Sequence, residues 1–225
     1  DERTLKWNRD AFDNIKIQPR VLNDAGRIDT TCSLFGTEMT YPILVAPTAF
    51  HKVTHAEGEV GTARGAGLAS TTYVVSSFTN TPIEEIVKAA TYPFWFQLYL
   101  LEDKAFVKDL IQKVEAMGIK ALCITVDTPV AGARDRQQKA NFQLPPGLKT
   151  PYMVETTSNG RVIPLQISVT WKDIEWLKSI TKLPILLKGI LSPDDADLAV
   201  KAGASGIIVS NHGARNLGTV PSTIE

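Results

Sequence analysis

Side chains able to do chemistry stand at the ends of apolar runs in this sequence. The run Gly206 to Ser210 leads into Asn211-His212-Gly213-Ala214-Arg215, Pro184 to Lys188 closes on a lysine, and Ala121 to Val126 leads to Asp127. A histidine whose pKa lies near neutrality can take up a proton and return it within one turnover. Arg215 carries the planar fork that grips a carboxylate bidentately. A lysine at a strand end is either a counter-charge for developing negative charge or, deprotonated, a nucleophile toward a carbonyl. His51 and His55 stand four apart but lack the Glu of a zinc helix, so no metal site is expected. Cys32 and Cys123 lack CxxC spacing and are expected as reduced structural thiols.

The elements that must position these groups follow from the spacing of apolar residues. Continuous apolar or β-branched runs recur at Ile43 to Pro47, Thr72 to Ser76, Phe94 to Leu100, Ala121 to Val126, Pro184 to Lys188 and Gly206 to Ser210, as strands buried on both faces require. Segments of helical period lie between them. Thr54-x-x-Glu57, Thr81-Pro82-x-Glu84, Thr170-x-x-Asp173 and Ser192-Pro193-x-Asp195 each match a capping box, and Gly118 and Gly203 stand where helices should stop. Strict alternation of strand and helix implies right-handed crossovers and a parallel sheet, hence an α/β fold.

Every run ends in polar or special groups: Pro47-Thr48, Ser76-Ser77, Gln97 and Tyr99, Thr125 and Asp127, Lys188, and Ser210-Asn211-His212. In a TIM (β/α)₈ barrel all these ends converge on one mouth, whereas an open sheet would use only its switch point. No glycine fingerprint follows the first strand, so the barrel is favoured. Only six strand-plus-helix starts are visible before Glu225, and the barrel is expected to be truncated after the sixth strand. The roughly forty residues between Asp127 and Thr170, rich in Gly, Pro, Gln and Thr, read as a long loop over the mouth. The first forty residues read as a helix and short hairpin capping the barrel's amino-terminal end, the whole of 1–225 forming one domain. Equal counts of 24 basic and 24 acidic residues give no field for nucleic acid or anionic lipid. Neither a signal pattern nor a spanning apolar run is visible, so a cytoplasmic protein acting on a small molecule is expected, with no nucleic-acid or membrane partner. A peroxisomal location stays open.

The strings Ser210-Asn211-His212-Gly213-Ala214-Arg215 and Thr125-Val126-Asp127-Thr128-Pro129 together resemble the FMN-dependent α-hydroxy acid oxidases and dehydrogenases, the family of glycolate oxidase, lactate oxidase and the flavocytochrome lactate dehydrogenases. Ala46-Pro47-Thr48-Ala49, His55-Ala56-Glu57-Gly58-Glu59, Phe96-Gln97-Leu98-Tyr99, Leu144-Pro145-Pro146 and Leu187-Lys188-Gly189 extend the match along the chain. The resemblance implies FMN as cofactor, a small (S)-2-hydroxy acid such as lactate or glycolate as substrate, a 2-oxo acid as product, reoxidation by oxygen or another acceptor, and a homo-oligomer, a tetramer as in the family. By the same resemblance His212 is the base, Asp127 its carboxylate partner, and Tyr99 the phenol near the substrate oxygen. Arg215 and Arg134 hold the substrate carboxylate. Lys188, Ser76, Gln97, Thr125 and Ser210 face the flavin edge, with Pro47, Thr48 and Ala49 along its ring, and Ala49 also borders the substrate.

Departures from the family pattern are as informative as matches. Its FMN phosphate motifs, a Gly-Gly-x-Arg turn and a later Gly-Arg, do not occur in this sequence. After Arg215 the family commonly reads Gln-Leu-Asp, whereas this chain has Asn216-Leu217-Gly218. Phe78 and Ala131 stand where glycolate oxidases often carry larger residues, which implies a roomier substrate pocket. Two other readings are kept beside this one: a lyase in which Lys188 forms a Schiff base, as class I aldolases do, and a non-catalytic incomplete barrel.

Overall fold

The computed structural model describes residues 2–129, 132–152, 165–166 and 168–225. In chain order the regular elements are helix α1 (Arg3–Asp10), the hairpin β1 (Cys32–Leu34) and β2 (Thr37–Met39), then α2 (Gly58–Leu68), β3 (Tyr73–Ser76), α3 (Ile83–Ala89), β4 (Phe94–Leu98), α4 (Lys104–Ala116) and β5 (Leu122–Thr125). They continue with α5 (Asp135–Lys139), α6 (Trp171–Ile180), β6 (Ile185–Ile190), α7 (Pro193–Lys201) and β7 (Gly206–Val209). Strands β3 to β7 form one parallel sheet in sequence order, with no switch point, so their carboxyl ends all face one side. The first expected strand, Ile43 to Pro47, is reduced to a single bridge from Val45 to Tyr73. Pro42 and Pro47 flank it, and a residue without an N–H cannot continue a ladder.

Alternation along each strand divides the sheet into two faces. Tyr73, Val75, Phe96, Leu98, Leu122, Ile124, Ile185 and Leu187 point to one face and join Ile83, Ile86, Leu110, Ile111 and Leu177 of the helices in the main core. Val74, Trp95, Ala121, Cys123 and Leu186 point to the other, where Leu34, Phe35 and Ile208 pack against them. The hairpin plugs this second face at the amino-terminal end of the strands, with the Phe35 and Trp95 rings 5.5 Å apart. Helix α1 does not cap that end, contrary to expectation. It lies at the opposite end, beyond β7, with the Thr4 N–H on the Gly218 carbonyl (3.2 Å) and the Asn8 and Asn211 amides paired.

Of the four expected capping boxes the structure forms one, at Thr170 and Asp173. Helix α2 begins only at Gly58, and the Thr54 hydroxyl turns back to the His51 carbonyl. Thr81 gives its hydroxyl to Glu59, while α3 starts after Pro82. Ser192 is the N-cap of α7 without a side-chain bond, and Pro193 opens the helix at a position whose N–H would have no partner. Asp103 caps α4 instead, accepting from the Phe106 N–H at 3.0 Å. Gly118 (φ 85°) and Gly203 (φ 74°) do end their helices in the left-handed region. Within the expected loop from Asp127 to Thr170, the described residues include α5 and the buried Tyr152, whose hydroxyl accepts from the Ile83 N–H at 2.7 Å. Among the described residues no helix is long and apolar enough to cross a membrane.

The Asp173 carboxylate gives a stability test. Burial pushes its pKa up, but the Lys104 ammonium (2.9 Å), the Thr170 amide and hydroxyl, and the Gln166 amide outweigh this and bring it down to about 2. A carboxyl held below its ordinary ~3.9 contributes stability that is present above that pH and lost as pH falls toward 2. Asp173→Ala should therefore cost about 1 kcal/mol or more at neutral pH, and the difference from wild type should shrink in denaturant titrations run from pH 5 down to pH 2. An undiminished difference would contradict the assignment.

Candidate active site

The second face of the sheet changes character along the strands. Two residues beyond the apolar layer of Val74, Trp95, Cys123, Leu186 and Ile208, the same face presents Ser76, Gln97, Thr125, Lys188 and Ser210. The first three are almost sealed from solvent and linked: the Ser76 hydroxyl donates to Gln97 Oε1 (3.0 Å), and Gln97 Nε2 donates to the Thr125 hydroxyl (2.8 Å). Lys188 Nζ donates to Ser210 Oγ at 3.1 Å. Burial lowers the Lys188 pKa from its ordinary value, against the pull of Asp127, which favours the ammonium. All five were singled out from the sequence, and the structure places them in one row across adjacent strands.

One further step along the strands brings together Phe78, Tyr99, Asp127 and His212. His212 Nδ1 lies 2.8 Å from Asp127 Oδ1, and its Nε2 lies 3.3 Å from the Tyr99 hydroxyl. A carboxylate can only accept, so Nδ1 carries the proton, and in the neutral ring the lone pair is on Nε2, the atom facing Tyr99. Burial and the Asp127 charge, partly offset by Arg134 and Arg215, push the Tyr99 phenol up to about 12, which keeps it a neutral donor. Its ring stacks edge-on against Phe78 (5.2 Å), which meets Phe50 in the same way (5.5 Å), so an aromatic wall runs away from the imidazole.

Arg134, the N-cap residue of α5, and Arg215 lie close enough that, after burial, the charge of Arg215 is what lowers the Arg134 pKa. Two guanidiniums held together near Tyr99 are a charge arrangement that could bind a carboxylate bidentately. Pro47, Thr48 and Ala49 occupy the irregular segment between the Val45 bridge and the short turn His51–Val53, at this same end of the sheet. Ala131 lies outside the described residues.

Sequence reasoning missed several groups that hold the site. Gly189 (φ 115°) sits at a bulge in β6, and a Cβ there would fall 2.6 Å from Asp127 Cγ, so only glycine lets the carboxylate stand where it does. Asn216, noticed only as a departure from the family, donates to the Asp127 carbonyl (2.9 Å) and reaches Oδ1 at 3.4 Å. Glu59, inside the matched string His55 to Glu59, has no exposed surface. Burial pushes its carboxyl up, but bonds from Asn80 N–H (2.9 Å), the Thr81 hydroxyl (2.8 Å) and His51 N–H (3.2 Å) outweigh that and hold it below the ordinary value. It thereby clamps the two loops that carry Phe50 and Phe78, which are joined by the Phe50 N–H on the Phe78 carbonyl. The buried spacing between these loops was the missing signal, and it appears only in the fold. His51 and His55 belong to no metal-ligand cluster among the described residues.

Several known proteins are similar to this chain. The model of the FMN-dependent dehydrogenase family matches residues 1–225. Glycolate oxidase of Spinacia oleracea is 43% identical over 236 residues, covering 100% of this chain and 64% of the relative. The 2-hydroxyacid oxidase of Dictyostelium discoideum is 43% identical over 234 residues, covering 100% and 60%. A solved structure of mandelate oxidase with benzoyl-formic acid superposes with a TM-score of 0.90 at 36% identity, covering 99% of this chain and 63% of that one. The chain thus spans less than two thirds of the length of these relatives.

Gly189→Ala tests the geometry without reference to turnover. The strained φ and the collision with Asp127 should cost about 1–3 kcal/mol, and the low-field proton resonance of the His212–Asp127 bond should vanish from the NMR spectrum. A variant of wild-type stability that keeps this resonance would contradict the assigned role of Gly189.

Proposed function

The chain belongs to the FMN-dependent dehydrogenase family, and on that footing we propose that the protein oxidises a small (S)-2-hydroxy acid to its 2-oxo acid. The observation that carries this reading is the meeting, at one end of the sheet, of an oriented histidine, a neutral phenol and two guanidiniums, directly above a polar row fit for a flavin edge. That row fits FMN by its donor set: an isoalloxazine edge alternates acceptors with one N–H, and Ser76, Gln97, Thr125 and Lys188 supply both donors and acceptors in a line. Pro47, Thr48 and Ala49 would lie along its ring. A Schiff-base role for Lys188 and a non-catalytic barrel are both less well supported, since the lysine stands in this row and the family match spans the chain.

When bound, FMN supplies the two-electron acceptor. Arg215 and Arg134 bind the substrate carboxylate and so fix the α-carbon beside His212. His212 Nε2 takes the hydroxyl proton, and the imidazolium formed is stabilised by Asp127 at Nδ1. The Tyr99 hydroxyl, a donor throughout, holds the substrate oxygen at the same point. Lys188, tethered on Ser210, places a positive charge within the polar row, where it would stabilise negative charge on a bound flavin edge.

We read the five parallel strands as wall segments of a closed (β/α)₈ barrel, with 1–225 part of a single domain. The absence of a switch point supports this. The Phe50–Phe78–Tyr99 wall supports a substrate with an apolar side chain, so lactate or a longer 2-hydroxy acid is expected to serve at least as well as glycolate. Oxygen is the proposed acceptor, giving hydrogen peroxide. A cytoplasmic homo-oligomer completes the reading.

Three measurements on full-length, FMN-loaded protein test it. His212→Gln should retain FMN and lose about 10²–10⁴-fold in turnover; near-wild-type bleaching of the flavin by substrate would remove His212 as base. Lys188→Met should slow anaerobic bleaching more than it raises KM, because its charge counts only as electrons arrive; equal effects would count against that role. Comparison of kcat/KM for glycolate, lactate and 2-hydroxybutyrate should favour the longer acids, and a strict glycolate preference would refute the pocket argument.

A further inference from the structure

We propose that helix α1 braces the turn that carries His212, with Asn8 and Thr4 as positioning residues for the base; this rests on the reading of His212 given above. The turn needs a brace. His212 (φ 58°), Gly213 (φ 62°) and Ala214 (φ 62°) are three successive residues in the left-handed region, and two of them carry a Cβ that disfavours it. Such a conformation persists only where its surroundings over-determine it.

Two side chains just ahead of the turn pin it from within. Ser210 Oγ accepts from the His212 N–H (3.0 Å), and Asn211 Oδ1 accepts from the Ala214 N–H (3.2 Å). Asn211 is only 6% exposed, and every polar position of its amide is taken. Its Nδ2 donates to Asn8 Oδ1 (2.6 Å) and to the Pro221 carbonyl (3.0 Å), while Asn8 Nδ2 donates back to Asn211 Oδ1 (3.2 Å). The amide that closes the turn is therefore oriented by a residue of α1, 203 positions away in sequence.

Thr4 lies one helical turn before Asn8 and so on the same stripe of α1. It is fully buried against the segment that follows the histidine turn. Its N–H donates to the Gly218 carbonyl (3.2 Å), its hydroxyl donates to the Val220 carbonyl (3.2 Å), and the Val220 N–H donates to that hydroxyl (3.1 Å). A helix of eight residues is marginal alone, so forming α1 and docking it on residues 211–221 are one event. The contacts are made by neutral groups, which lets α1 fix the position of the imidazole without adding charge to the His212–Asp127 pair.

The test uses full-length, FMN-loaded protein with Asn8→Leu, the milder Asn8→Asp, and Lys6→Ala as control on the exposed side of α1, where Lys6 pairs with Asp10. Asn8→Leu should raise amide exchange across 211–221 about tenfold. It should lower kcat about 10- to 100-fold through misplacement of the base, with KM changed less than about threefold. Asn8→Asp, which keeps the acceptor for Asn211 Nδ2, should fall between. Lys6→Ala should change neither quantity, and Asn8→Leu combined with Asn211→Leu should cost no more than Asn211→Leu alone. Wild-type kcat in both Asn8 variants, an equal loss in Lys6→Ala, or multiplying losses in the double variant would overturn the proposal. If the wild-type protein oxidises no 2-hydroxy acid, the functional reading fails by itself, and unchanged exchange across 211–221 in Asn8→Leu would then overturn the brace independently.

Discussion

The 2.8 Å contact between His212 Nδ1 and Asp127 Oδ1 is the interaction on which the rest of the site depends. It joins residues 85 positions apart, beyond the ends of β7 and β5, with β6 between them. Spanning that gap demands three local concessions: a bulge and a glycine in β6, a left-handed turn at His212, and an amide from Asn216 on the Asp127 backbone. Each is unfavourable or unremarkable by itself. Together they fix which imidazole nitrogen is free, and so which atom can take a proton.

The sheet prepares this contact by sorting one face into layers. Trp95, Cys123 and Leu186 are packed under the β1–β2 hairpin and make the lowest layer dry. The next layer can then bury Ser76, Gln97 and Thr125 only because they satisfy one another. Charge enters with Lys188 in the same row and with Asp127 above it, and Tyr99 stays a phenol because burial and that carboxylate's charge both disfavour the phenolate. The opposite face packs against the helices in the main core.

Much of this was legible in the sequence because it depends on local pattern. Continuous apolar runs marked five of the strands, and their polar last residues pointed to Gln97, Thr125, Asp127, Lys188 and His212, while the roles of these residues and of Arg215 came from the family resemblance. The Thr170 box formed with its own Asp173, whereas the Thr81 hydroxyl went to Glu59 and left Pro82 to open α3, a competition between distant segments. The position of α1, the role of Asn216 and the clamp at Glu59 depend on contacts between distant segments, which no periodicity encodes. The single bridge at Val45 shows the converse: an apolar run looks like a strand even where flanking prolines remove its ladder.

A crystal structure of the full-length, FMN-loaded protein with a bound 2-oxo acid would test this arrangement of His212, Tyr99, Arg134 and Arg215 around the ligand. The carboxylate is expected between Arg134 and Arg215, and the oxygen at C2 within hydrogen-bond reach, about 2.6–3.2 Å, of both His212 Nε2 and the Tyr99 hydroxyl. A ligand whose carboxylate lies on Lys188 instead, or whose C2 oxygen faces away from His212, would contradict it.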